Sequence, residues 1–99
     1  MLAYCVGMAD LFHALADETR RLVLDELFTR NDLTLFEICA SLATNHGVTS
    51  SRQAISQHLG VLEDAGLITT RMNGRTKIHH LDPEPLRTAL RRWPLEPEK

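Results

Sequence analysis

Ninety-nine residues with 43% hydrophobic content and a net charge of −2 fit one globular core, which sets disorder aside as the default and predicts a single domain over residues 1–99. No apolar run approaches the roughly 18 residues of a membrane span, and the opening MLAYCVGMADLF lacks the basic start of a secretory signal. Two cysteines make no disulfide framework, so a cytoplasmic chain with reduced thiols is expected.

The charge is unevenly spread. Residues 1–48 carry Arg20, Arg21 and Arg30 against seven acids, a balance of −4, and residues 81–99 are neutral. Residues 49–80 carry Arg52, Arg71, Arg75 and Lys77 against Glu63 and Asp64, a balance of +2. Affinity for a phosphate backbone grows with the number of phosphates neutralised. So few cations predict weak binding by a monomer and a doubled contact set in a dimer.

In chain order, Met8, Leu11, Phe12 and Leu15 fall at i, i+3, i+4 and i+7 and mark one face of a first helix. Asp17 can cap a second helix that runs to about Thr29. Leu24, Leu27 and Phe28 are expected to face the core there, with Arg20, Arg21, Asp25 and Glu26 mostly in solvent. Arg30-Asn31-Asp32 breaks the pattern as a loop. Thr34-Leu35-Phe36-Glu37 has the form of a capping box and opens a third helix with Leu35, Ile38 and Leu42 inward. Thr44-Asn45-His46-Gly47 is expected to end it, with Gly47 in a left-handed turn.

Ser50-Ser51-Arg52-Gln53 reads as a second capping box and starts a fourth helix. Ile55, Leu59 and Leu62 share one of its faces; Gln53, Ser56, Gln57, Gly60 and Asp64 share the other. Gly66 is placed to stop it. Leu67–Met72 and Arg75–His80 are short strand-like runs separated by Asn73-Gly74, the signal of a type I′ hairpin. Asp82-Pro83 then caps a fifth helix with an apolar stripe of Leu86, Ala89, Leu90 and Trp93, and Pro94 begins a tail. The order predicts a mainly α fold of five helices with a β-hairpin wing, a winged helix-turn-helix.

Two surfaces suit a nucleic acid duplex. The outer face of the fourth helix offers Arg52, Gln53, Ser56 and Gln57, with His58 at one edge. Arg and Gln can make paired hydrogen bonds to guanine and adenine edges, and Ser can bond to bases or phosphate. Gly60 keeps that face low for close approach. The plainer reading is an amphipathic helix whose polar face is simply wet. On the hairpin, Arg71, Arg75 and Lys77 fit phosphate or minor-groove contact, although edge strands also carry charge to discourage aggregation.

FHALADETRRLVLDEL, LTLFEICASLA, ISQHLGVLEDAGLI and the Asn-Gly wing together resemble the ArsR/SmtB family of bacterial winged-helix repressors over about Phe12 to Leu81. The resemblance implies a homodimer whose first and last helices form the interface, through Met8, Leu11, Phe12, Leu15, Leu86, Leu90 and Trp93. It also implies that the fourth helix reads the major groove, with Ser51, Arg52, Gln53, Ser56, Gln57 and His58 facing DNA. Two features depart from the family pattern. Ala43 to Ser50 is a longer connection than a tight helix-turn-helix turn and is expected to form an extra loop bearing His46. The Cys-x-Cys pair of the metal sensors is replaced by Cys39 alone, and the last helix lacks their Asp/His pairs.

Cys5, Cys39, His13, His46, His58, His79 and His80 are metal ligands by type, but no two share a helical i, i+3 or i+4 spacing. His79 and His80 on a strand point to opposite faces. No metal or other cofactor is therefore expected. Nor is catalysis: there is no phosphate-binding glycine loop, nucleophile elbow or paired acid on a plausible pocket wall, and Asp17-Glu18 and Asp25-Glu26 read as solvated helix faces and caps. The expected function is a homodimeric, sequence-specific transcriptional regulator, a repressor reading a pseudo-palindromic operator on double-stranded DNA. The alternatives are a winged-helix module that binds protein, and a ligand- or metal-responsive sensor repressor.

Overall fold

The computed structural model describes residues 10–93. Met8, Cys5 and the tail from Pro94 lie outside the described residues. Five helices and one hairpin follow in order: α1 (described over residues 10–15), α2 (Glu18–Thr29), α3 (Leu35–His46), α4 (Arg52–Asp64), β1 (Ile68–Asn73), β2 (Thr76–Leu81) and α5 (Glu84–Arg92). The strands pair antiparallel from Ile68 with Leu81 to Asn73 with Thr76, and Leu33 adds a single bridge to His79. This is the predicted winged helix-turn-helix.

The core is drawn from every element. Val23 and Leu27 on α2, Ile38 and Leu42 on α3, and Ile55 and Leu62 on α4 are fully buried, with Leu67 and Ile68 of the hairpin closing one end. Burying side chains of this size stabilises by about 1.5–3 kcal/mol each relative to leaving them in water. Leu11 of α1 and Ala89 of α5 join the same cluster.

The α2 face lies about one residue away from the expected one. Phe28 is 81% exposed, whereas Arg20, expected in solvent, is only 9% exposed and shares the inner face with Val23 and Leu27. The guanidinium can enter because the end of α1 offers it carbonyls: Ala14 has no helical donor, and His13 accepts from it in addition to the Ala16 N–H. Its Nε donates to the Ala14 carbonyl at 2.9 Å and its Nη2 to the His13 carbonyl at 3.1 Å. Leu11, expected at a dimer interface, likewise turns into the protomer's own core. Phe12 takes the outward side, and Leu15 is half-buried.

Helix ends follow local chemistry. The Thr34–Glu37 box closes in both directions, at 2.9 and 3.1 Å. At α4 the cap is Ser51, whose Oγ accepts from Ala54 N–H at 3.1 Å, so the expected Ser50–Gln53 box gives way to a simple serine cap one residue on. Gly66, at φ +81°, ends α4 in a Schellman turn, donating to the Glu63 carbonyl while Leu67 donates to Leu62. The expected extra loop after residue 43 is absent: α3 runs through His46 before the left-handed Gly47 stops it. Its last turn is anchored to α2, since Asn45 Nδ2 donates to Glu26 Oε1 at 3.0 Å and His46 Nε2 lies 2.8 Å from Glu26 Oε2.

Candidate nucleic-acid interface

The interface begins at the two faces of α4. Ile55, Leu59 and Leu62 are buried, which turns Arg52, Gln53, Ser56 and Gln57 outward, all of them exposed. The three-helix packing behind α4 holds that row on a rigid support. A Cβ placed on Gly60 would meet nothing within 4 Å, so the fold itself gives no reason for a glycine there.

His58 is placed differently from its neighbours. It is half-buried, and its Nδ1 lies 3.2 Å from Arg20 Nη1. A guanidinium has donors only, so His58 Nδ1 is the acceptor in this bond. Asp17 Oδ2, 3.9 Å from the same nitrogen, is beyond hydrogen-bond range. Asp17 instead accepts from the Arg20 backbone N–H at 3.0 Å. That bond, with smaller help from the Arg20 charge, holds its carboxyl below the usual range against a weaker opposing effect of burial. Ala14, Asp17, Arg20 and His58 thus tie the end of α1 and the start of α2 to the middle of α4.

The wing turns one residue later than expected. Asn73 pairs with Thr76, leaving Gly74 and Arg75 as the two turn residues. Gly74 has φ +67° and Arg75 does not have positive φ, which rules out type I′ and matches the glycine-first pattern of type II′. Arg75 is therefore at the tip, with Lys77 exposed two residues behind it. Arg71 is occupied: its Nη1 donates to Asp32 Oδ1 at 3.1 Å. His80 Nδ1 donates to the same oxygen at 2.8 Å. The His80 bond and then the Arg71 bond hold the Asp32 carboxyl below its usual range. Asp32 sits at φ +63°, outside the common range for a residue with a side chain, so this loop is shaped to meet the wing. His79, on the opposite face as expected, is buried and bonds through Nδ1 to the Leu33 carbonyl at 3.0 Å.

Between the start of α3, the start of α4 and the wing lies a groove of about 420 Å³, lined among others by Thr34, Phe36, Arg52, Arg75 and Lys77. Sequence reasoning missed Phe36 there, since an aromatic inside a capping box carries no directional signal. Arg20 was legible in principle, because its i, i+3, i+7 spacing with Val23 and Leu27 marks the buried face. Cys39 is half-buried, and burial pushes its thiol up, with the Arg52 charge pulling weakly the other way. Among the described residues no three His, Cys, Asp or Glu side chains gather as a metal would need, and no helix is long and apolar enough to cross a membrane.

A presented polar helix beside a basic hairpin defines the class: a winged helix-turn-helix DNA-binding protein. The comparisons narrow it. The chain is 48% identical over 83 residues to an uncharacterized HTH-type transcriptional regulator of Bacillus subtilis, YuzN, covering 84% of this chain and 90% of that protein. It is 38% identical over 85 residues to the HTH-type transcriptional regulator Rv2034 of Mycobacterium tuberculosis, covering 83% and 73%. A solved ArsR family transcriptional regulator superposes with a TM-score of 0.73 at 32% identity, over 91% of this chain and 84% of that one. No protein-family model matches the chain. The chain belongs to the ArsR family of helix-turn-helix transcriptional regulators.

Proposed function

We propose that this regulator is a homodimeric repressor whose two copies of α4 enter successive major grooves of a pseudo-palindromic operator. The observation that carries the reading is the exposed row Gln53, Ser56 and Gln57 on a helix whose opposite face is locked into the core. Gln53 and Gln57, one turn apart, are the base-reading side chains, and Ser51 and Ser56 serve bases or nearby phosphates. Arg75 and Lys77 hold phosphates or reach into the minor groove. His58 supports the helix from behind through Arg20, and Arg71 aims the wing through Asp32. Phe12, Leu90 and Trp93 are exposed apolar side chains on the terminal helices, which suits coverage by a second copy. Half-sites would then lie about one helical turn apart.

The test is a fluorescence anisotropy titration against the DNA upstream of the gene, with operator variants as competitors. Wild type is expected to bind tightly and to lose affinity steeply with salt. Gln57→Ala should lose about 1–3 kcal/mol of discrimination between operator variants, the worth of one paired base contact. Equal discrimination by wild type and variant would remove Gln57 from base reading, and salt-insensitive or absent binding would favour a protein-binding module.

A further inference from the structure

Among the described arginines and lysine, Arg92 stacks on Trp93 and Arg30 lies exposed and unpaired beside the last turns of α3; the other eight divide into two sets. Arg20 and Arg21 donate to backbone carbonyls, Arg71 to Asp32, and Arg87 and Arg91 to Glu84. Arg52, Arg75 and Lys77 have no such partner among the described residues, and all three line the groove between α3, α4 and the wing. No carboxylate lines it with them. Leu35 and Phe36, the first two residues of α3, line the same wall. Phe36 stands there 68% exposed on a helix whose other large apolar side chains are buried or half-buried.

A duplex read by α4 in the major groove and by the hairpin alongside has one sugar–phosphate strand between those two contacts. That strand must pass between the start of α4 and the wing, where three unpaired cations converge. We propose that this groove seats a short run of that strand, with Arg52, Arg75 and Lys77 on its phosphates and Phe36 against a deoxyribose. The proposal rests on the DNA-binding function above and assigns Arg52 to the backbone, leaving base reading to Gln53 and Gln57. Phe36 and Thr34 join the interface, although neither carries charge. A guanidinium forks onto phosphate oxygens in paired hydrogen bonds, so Arg52 and Arg75 are stronger anchors than Lys77.

The experiment uses full-length protein and an operator duplex selected from genomic DNA, with single uncharged methylphosphonate linkages walked across each half-site. Wild type is expected to lose roughly tenfold in affinity at one or two adjacent linkages per half-site, the worth of a charge-assisted hydrogen bond. Arg52→Ala should weaken the unmodified duplex by a similar factor and lose nothing more at those linkages. Its salt slope should flatten by about 0.9 per protomer, whereas Arg52→Lys should keep the slope. Phe36→Ser should weaken binding with the salt slope intact. Because Arg52 and Phe36 are exposed, unchanged circular dichroism spectra are expected for all variants. Additive penalties at every linkage, or an Arg52→Ala variant with an unchanged slope and altered base preference, would overturn the proposal while leaving DNA binding standing. Wild type that binds no duplex would overturn the functional reading itself.

Discussion

Arg20 joins three elements with one side chain: its guanidinium meets the last carbonyls of α1 and the His58 ring on α4, and its own amide is capped by Asp17. Removing the guanidinium strands the Ala14 carbonyl, at about 1–3 kcal/mol for a buried group left unsatisfied, and takes one of two donors from the His13 carbonyl. Arg20→Met keeps much of the apolar stem and is expected to destabilise the protein by about 2–4 kcal/mol in urea unfolding. A loss below about 0.5 kcal/mol, the level of an ordinary surface change, would mean that water replaces the guanidinium freely. Asp17 adds a pH dependence whose sign follows from its lowered pKa. Its contribution is present above the unfolded carboxylate's pKa and is lost as pH falls through the folded one. Stability should therefore drop on acidification between about pH 5 and 2, and less steeply in Asp17→Asn, which keeps an acceptor at the cap but has no charge to titrate. Identical acid slopes in the two proteins would rule Asp17 out as a source.

At the scale of elements, glycines separate shape from function. Gly66 needs its left-handed φ of +81° to turn the chain from α4 into the hairpin. Gly66→Ala should cost about 1–2 kcal/mol from backbone strain alone, since the added methyl meets only Pro85 Cγ at an ordinary 3.5 Å. Gly60 is mid-helix with open space around it, so Gly60→Ala should stabilise by about 0.5–1 kcal/mol through helix propensity. Thermal unfolding of the two variants in opposite directions is the check, and a destabilised Gly60→Ala would show a packing role absent from this structure. The hairpin shows how far local chemistry reaches. Asn73-Gly74 announced a two-residue turn, but the turn is Gly74-Arg75. The frame is chosen by pairing Ile68 with Leu81, which buries both against the helices. A turn at Asn73-Gly74 would set Ile68 against His79 instead, two residues out of that register.

At the scale of the molecule, the apolar side chains of the terminal helices divide between two uses. Leu11 and Ala89 are spent on the protomer's own core, while Leu90 and Trp93 remain 56% and 52% exposed. Arg92 stacks over the Trp93 ring at 5.1 Å, which leaves that indole amphipathic rather than greasy. If a second copy covers this surface, Leu90→Glu should weaken dimerisation roughly thirtyfold, the worth of about 2 kcal/mol at a central interface position. Unfolding of the protomer should be nearly unaffected. Sedimentation velocity across a concentration series measures the first and urea titration the second; an unchanged association constant would place the interface elsewhere.

Element order, the Asp17 and Thr34 caps, the inner face of α4 and its outer row of Gln53, Ser56 and Gln57 were legible in the chain itself, because periodicity and capping are local chemistry within one or two helical turns. The family pattern was legible for the same reason. Other features were decided only by tertiary structure. Arg20 goes inward because another helix ends where its donors can reach. Phe28 goes outward because Val23 and Arg20 occupy the inner face. Arg71 is taken by an acid 39 residues away, and Arg52, Arg75 and Lys77 come together on one groove. Each depends on partners distant in sequence, whose meeting is set by how the helices pack and not by any residue's own preference.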